Sequence, residues 1–287
     1  MKLVQISGDT YYVPGTTNVC VYGDYVVDPG KNDNVDWDHL ETSFGRKISV
    51  ALISHGHNDH FWHAAEMRRK GVRIVSPLGE RPMIEDIDVH MNAFFLGVRP
   101  PEGMRPWYFK GTPCPVDGVL EELKMPLEAV PLPGHTEWQT GFMTPDGVLL
   151  AVDAIVDKKM WETKGIVYHT SIPDVRRSLH AIMDSDAEFV LPSHTPLLTK
   201  DEAVELAEIN LKGIDRLEHI VMDSLDMEGV STEEAVSRVC LALKLKEDFT
   251  MHLVGETTVR AFLHDLFERK AVDYELKGHK VFWRKTR

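Results

Sequence analysis

Apolar residues in the first two hundred positions fall into short runs separated by polar turns; beyond them they fall into longer, helix-spaced groups. NVCVYGDYVVDPG, residues 18–30, sets two β-branched and aromatic runs on either side of Gly23-Asp24, the pattern of a hairpin. Lys47–Ile53 becomes almost wholly apolar at its end and predicts a central strand buried on both faces. Trp62 to Lys70 predicts a helix that ends in Arg68, Arg69 and Lys70 with Gly71 behind: cations meet the negative end of the dipole and glycine supplies the left-handed cap. Strands are predicted over Val72–Ser76, Ala129–Leu132, Thr140–Met143 and Val148–Ala151, with Asp146-Gly147 turning between the last two. Pro173 to Asp184 predicts a helix and Phe189–Leu191 a short strand.

Between Glu80 and Val119 the periodicity fails. The stretch NAFFLGVRPPEGMRPWYFKGTPCPVDG is rich in proline, glycine and aromatics and predicts a long functional insertion. Its aromatic residues Phe94, Phe95, Trp107, Tyr108 and Phe109 read either as a cover over a site that takes an apolar group or as local or dimer packing. From Asp201 the character turns helical: Ser231-Thr-Glu-Glu234 has the form of a capping box, Thr257–Arg269 is amphipathic, and Val272–Leu276, Lys277-Gly278 and Lys280–Trp283 make strand, turn, strand. Helices followed by a small hairpin outline a winged-helix-like unit. The expected division is a domain over 1–200 and a helix-rich C-terminal domain over 201–287.

Composition narrows the function classes. A chain of 287 residues, 43% hydrophobic, is enough for one large domain, or for a core domain plus a smaller appendage. No apolar stretch reaches bilayer length, and MKLVQISGDTYYVPG breaks into polar and turn residues too early for a secretory leader, so the expectation is a soluble, cytoplasmic protein with no membrane partner. Cys20, Cys114 and Cys240 are odd in number and far apart, which suits buried thiols in a reducing compartment rather than disulfides or a metal knuckle. The net charge of −13 disfavours phosphate backbones as partners.

The chemistry concentrates in SHGHNDHFWHAA, residues 54–65, directly after an apolar run. Such crowding of His55, His57, Asp59, His60 and His63 fits a metal site, though a polar loop would look similar in isolation. The same strand-then-polar grammar recurs at His135 in LPGHTEW, Asp153 in LLAVDAI and His194 in FVLPSHT. Strand ends converging on one edge would gather seven candidate ligands, His55, His57, Asp59, His60, His135, Asp153 and His194. Imidazole and carboxylate without thiolate favour zinc, iron(II) or manganese.

HGHNDH, followed by GHTEWQTG, AVDA and LPSHT and preceded by Asp28 in VVDPG, resembles the motifs of the metallo-β-lactamase-fold hydrolases in their order, over roughly residues 1–200. The resemblance implies an α+β fold, a four-layer αββα sandwich with a dinuclear site at one edge of the packed sheets. It implies that His55, His57 and His135 hold a first metal, that Asp59, His60 and His194 hold a second, and that Asp153 bridges them. Two divalent ions are therefore expected, zinc first, with iron and manganese as the other choices. Asp28 would brace a ligand histidine. The region after 200 resembles the small winged-helix extension of some members. Aspartate at 153 together with His60 points to the glyoxalase-II-like, lactonase and nuclease branches.

The expected activity is hydrolysis by a metal-bridging hydroxide, with Asp59 as the catalytic residue that orients it, on a small ester, thioester or lactone. One alternative is a phosphodiesterase or ribonuclease whose C-terminal wing, with Lys277, Lys280, Arg284, Lys285 and Arg287, contacts nucleic acid. A second is a non-catalytic metal- or DNA-binding regulator. A homodimer is the expected assembly. His63 is read as packing, Thr136 as either orienting His135 or capping a turn, and His90 and His169 as surface or loop residues.

Overall fold

Each buried strand sends successive side chains to opposite faces, and in this chain both faces are apolar. In the computed structural model, which describes residues 3–37, 39–106 and 111–286, Ala51 and Ile53 enter one core while Leu52 enters another, and Ile74 and Val75 divide in the same way. Leu149 and Ala151 likewise part from Val148 and Leu150, and Val190 from Leu191. Three apolar layers result, and they are the three seams of a four-layer αββα sandwich.

The first sheet runs in chain order: β1 (Val4–Ser7), β2 (Thr10–Val13), β3 (Val19–Tyr22), β4 (Tyr25–Val27), β5 (Val50–Leu52), β6 (Arg73–Ser76) and β7 (Gly118–Val119). It is antiparallel through β4 and parallel from β4 to β7. The second sheet comprises β8 (Glu128–Pro131), β9 (Thr140–Met143), β10 (Val148–Val152), β11 (Phe189–Pro192) and β12 (Leu198–Thr199), in the reverse of chain order across the sheet, with β10 and β11 parallel. Cys20, Val27, Leu52 and Val75 of the first sheet meet Phe142, Val148, Leu150 and Leu191 of the second. Complete burial of a side chain such as Leu52 or Phe142 contributes about 2–3 kcal/mol.

The outer face of the first sheet is covered by α1 (Leu40–Phe44), α2 (Asn58–Phe61), α3 (Ala64–Arg69) and α4 (Arg81–Glu85) through Phe44, Phe61, Met67 and Ile84. The cationic end of α3 is structural: Arg68 grips the Asp117 carboxylate with Nε and Nη2, at 2.7–3.2 Å. The stretch from Glu80 to Val119 is not one long loop, because α4 and α5 (Ile87–Phe94) occupy its first part. Asp86 stops α4 and accepts from the Asp88 N–H to start α5, so two short helices abut where composition alone reads as irregular. Trp107, Tyr108 and Phe109 lie outside the described residues.

The second sheet is covered by α6 (Lys158–Thr163), α7 (Ile172–Asp184) and α8 (Lys200–Asp223), and the same apolar cluster continues into α9 (Thr232–Ala242) and α10 (Phe249–Glu268). The capping box belongs to α8, where Thr199 and Glu202 satisfy each other's backbone N–H groups. At Ser231 only half of it forms, since the Glu234 carboxylate turns to Arg238 instead. Helix α10 begins eight residues before Thr257 because Asp248 caps it by accepting from the Met251 N–H. A third sheet, β13 (Val230–Ser231), β14 (Val272–Lys277) and β15 (Lys280–Lys285), closes the chain, and Trp283 fastens it by donating to Thr232 Oγ1 at 2.9 Å. Residues on both sides of position 200 thus share one core. Among the described residues, none of the three thiols is paired, and no helix is long and apolar enough to cross a membrane.

Candidate metal centre

Strand polarity decides where the chemistry gathers. Strands β4, β5, β8, β10 and β11 all end at one edge of the sandwich, and the next residues carry Asp28, His55 to His60, His135, Asp153 and His194. Ligand atoms of His55, His57, His135 and Asp153 lie within 4.8 Å of one another, and those of Asp59, His60 and His194 do likewise. Asp153 faces both groups: its Oδ2 is 3.4 Å from His135 Nε2 and 3.5 Å from His194 Nε2, and its Oδ1 is 3.5 Å from His60 Nε2. The structure therefore brings together all seven residues singled out from the sequence.

Backbone devices hold these loops. Val152, β-branched, is forced to φ 45° at a break in the β10–β11 register, which turns Asp153 out of the sheet. Gly134 lies at φ 121° with Val175 N only 2.4 Å from where a Cβ would stand, so its carbonyl can accept from Thr170 N–H beside His135. Gly30 passes so close to the Asp59 carbonyl that a Cβ would lie 2.1 Å from it, and that carbonyl accepts from Lys31 N–H and Thr17 Oγ1.

The outer nitrogen of each histidine fixes which inner nitrogen faces the site. His135 Nδ1 donates to the Tyr168 carbonyl at 3.1 Å and His194 Nδ1 to the Thr16 carbonyl at 2.6 Å, and carbonyls only accept. His60 Nδ1 donates to Asp28 Oδ2 at 2.9 Å. The same Asp28 accepts from the Ser54 N–H and hydroxyl, so Ser54 Oγ accepts in turn from His55 Nδ1 at 2.9 Å. With Nδ1 donating outward, Nε2 is the nitrogen that all four turn toward the centre. His57 turns Nδ1 inward instead, 2.9 Å from His135 Nε2. His55 Nε2, His60 Nε2 and Asp153 Oδ1 are buried without a hydrogen-bond partner. Unsatisfied donors of this kind, converging from imidazoles and a carboxylate, are what a divalent metal satisfies, and the donor set fits one.

The electrostatics agree. Burial and the neighbouring imidazoles hold His55 and His57 well below the ordinary histidine range, and burial lowers His135 despite Asp153, so these three imidazoles are neutral. Burial also opposes charge on His60 and His194, but Asp153 and Asp59 outweigh it, carrying His60 to about 10 and His194 well above its usual value. Burial resists ionisation of Asp153 and Asp59 too, yet the adjacent imidazoles keep both below the normal carboxylate range. The cluster thus demands positive charge, and a cation entering it displaces protons.

Several contributors carry no local signature in the sequence. Glu80, fully buried at 0% exposure, accepts from Gly56 N–H, Thr136 Oγ1 and the Trp138 N–H, tying the loop of His55 and His57 to that of His135. Burial raises its pKa in spite of these donors. Asn18 donates to the Pro192 and Thr195 carbonyls and holds the His194 loop. Thr136 therefore serves the Glu80 tie. His63 packs, stacked on Trp37 with ring centroids 4.4 Å apart. His90 and His169 are buried rather than at the surface: His90 stacks on His57 at 4.9 Å, and His169 follows Tyr168 into the core, its N–H donating to Thr258 Oγ1.

No protein-family model matches the chain, and no curated protein does. Solved structures do. A metallo-β-lactamase family protein from Thermus thermophilus aligns with a TM-score of 0.66 at 16% identity, covering 99% of this chain and 97% of its own. A β-lactamase domain protein from Burkholderia ambifaria aligns with a TM-score of 0.70 at 16% identity, over 99% of this chain and 93% of its own. A subclass B3 metallo-β-lactamase of Bradyrhizobium japonicum aligns with a TM-score of 0.52 at 18% identity, over 75% and 93% respectively. These likenesses show that the chain has the metallo-β-lactamase fold.

Proposed function

We propose that the protein is a hydrolase dependent on two divalent metal ions, zinc in the first instance, that cleaves a small ester, thioester or lactone. The observation that carries this reading is the convergence of seven ligand side chains whose inward atoms include three buried and unpartnered ones. His55, His57 and His135 would hold one ion, Asp59, His60 and His194 the other, and Asp153, which faces both groups, would touch both. Bound there, divalent ions supply Lewis acidity, which polarises a carbonyl and lowers the pKa of water.

The remaining chemistry falls to the chain. Asp59 Oδ2 sits 3.4 Å from His194 Nε2 and 3.8 Å from His60 Nε2, on a backbone pinned by Lys31 and Thr17. It accepts a proton from the attacking water, whose oxygen bonds to the carbonyl carbon. When the bond to the alkoxide or thiolate breaks, the same carboxyl returns that proton to the leaving atom. Asp28 and Glu80 keep the ligand loops in register.

In this reading residues 1–200 carry the chemistry and residues 201–287, a winged-helix-like extension, pack against them. Three arginines of that extension are paired with acids: Arg260 with Glu256 at 2.7 Å, Arg269 with Glu218 at 2.8 Å, and Arg284 with Asp273 at 2.9 Å. That, with the net charge of −13, favours a small-molecule substrate over nucleic acid.

The test is metal content and turnover on one preparation, against a thioester, a lactone, a nitrophenyl ester, bis-nitrophenyl phosphate and a short RNA. Two metals per chain with carbonyl-substrate turnover are expected, and Asp59→Asn and His135→Ala should each abolish it while the protein still melts cooperatively. Full turnover in both variants would overturn the proposal, and turnover confined to phosphodiesters would replace it with the nuclease reading.

A further inference from the structure

Beside the first ligand group lies a cleft of about 120 Å³ whose lining includes His57 and His135 but none of Asp59, His60 and His194. His57 and His135 form its inner end, and Phe94 of α5 and Tyr168 form its sides. Its outer wall comes from α10: Thr250, Leu253 and Val254, spaced three and four residues apart, share the helix face that meets the cleft. Among the described residues the lining includes no Lys, Arg, Asp or Glu. An apolar cavity of roughly 150 Å³ admits a benzene ring; this cleft is somewhat smaller but open at its mouth, so it takes a short branched chain, or a ring whose outer edge stays at the mouth. A carboxylate or phosphate placed here would lose its hydration with no Lys or Arg side chain in the lining to replace it.

We propose that this cleft receives the uncharged, apolar acyl half of the substrate, a phenyl-sized or short branched group, and that α10 sets its upper size. The inference rests on the hydrolase reading, which also decides which half of the substrate enters. Asp59 returns the proton to the leaving atom, so the leaving group occupies the side of Asp59, His60 and His194. The fragment that keeps the carbonyl carbon then extends past His57 and His135 into the cleft. The role of the C-terminal unit follows: its longest contribution to the site is a specificity wall built from a helix remote in sequence from every ligand.

The test pairs kinetics with binding. The metal-loaded enzyme is assayed on nitrophenyl acetate, isobutyrate, benzoate and octanoate. Thr250→Phe and Val254→Phe fill the cleft from half-buried positions that tolerate a larger side chain, Leu253→Ala enlarges it, and Leu276→Phe, on an exposed strand of the terminal hairpin, is the control. Filling should lower kcat/KM for benzoate relative to acetate by roughly tenfold or more, enlarging should raise it for octanoate relative to acetate, and the control should leave the ratios unchanged. Fluorobenzene, followed by fluorine NMR, should bind wild type and lose its binding in Val254→Phe. Unchanged substrate ratios and unchanged fluorobenzene binding in both filled variants would overturn the assignment while leaving the hydrolase reading intact. Fluorobenzene binding that Val254→Phe abolishes, with no carbonyl substrate turned over by wild type, would sink the hydrolase reading and uphold the cleft as an apolar recognition site.

Discussion

Asp28 is the point where both ligand groups are held at once, and replacing it by asparagine tests that coupling. Its Oδ2 accepts from the Ser54 hydroxyl at 2.7 Å and from His60 Nδ1 at 2.9 Å, while Oδ1 accepts from the Ser54 N–H at 2.8 Å. Asparagine keeps the shape and tolerates the residue's positive φ of 50°, so the backbone is not perturbed. It offers only one acceptor oxygen. If that oxygen faces the Ser54 N–H, the amide NH2 confronts two donors. The His60 proton must then move to Nε2, the atom aimed at the second group. The Ser54 hydroxyl must turn, which loosens His55 in the first group.

A hydrogen bond to a buried charge is worth about 1.5–3 kcal/mol, and loss of such an outer partner typically weakens metal binding about 10–100-fold. Asp28→Asn should therefore lower metal affinity by about that factor, equivalent to roughly 1.4–2.8 kcal/mol. The assay is competition with a chelator of known affinity, with metal per chain measured at each step and a metal-free melting curve as the control on folding. Affinity within twofold of wild type, with unchanged melting, would refute the argument that Asp28 orients both histidines.

Other consequences are as specific. Asn18→Ala removes the donors that hold the Pro192 and Thr195 carbonyls, so under the two-ion proposal one metal equivalent should be lost at lower chelator concentration than in wild type, with the other retained; equal loss of both would contradict this. Glu80→Gln turns an acceptor of three donors into a group that can satisfy only part of them; at about 1–3 kcal/mol, calorimetry should record a melting temperature lower by roughly 3–10 °C. Burial, assisted by His135, holds His169 down to about 3, and neither ring nitrogen has a hydrogen-bond partner, so the fold keeps it neutral. Its contribution is intact above pH 6.5, where the unfolded imidazole is also neutral, and falls between 6.5 and about 3 as only the unfolded chain takes up a proton. That loss reaches about 2 kcal/mol by pH 5, and denaturant titrations of His169→Leu should show a correspondingly shallower decline from pH 7 to pH 5.

Features settled within a dozen residues were readable from the chain alone. The hairpin at Gly23-Asp24, the doubly buried strands and the helix closed by Gly71 follow from alternation and turn chemistry, and β3–β4, β5 and α3 occupy those places. The convergence of the seven candidate ligands was legible for the same reason: each polar residue directly follows an apolar run, and strands of one polarity must deliver their ends to one edge. Where neighbouring residues supply the decisive groups, composition misleads less than it does at 80–119, where Asp86 alone separates two helices from an apparent loop. Whatever depends on partners far along the chain had to await the packing of the layers. Glu80 meets Gly56 and Thr136, Asn18 meets the loop of His194, Asp28 meets His60, and α10 reaches the cleft beside His57, across separations that leave no periodic mark. The physical reason is that a hydrogen bond or an apolar contact depends only on distance in space, and which distant residues become close is set by how the layers of the sandwich pack.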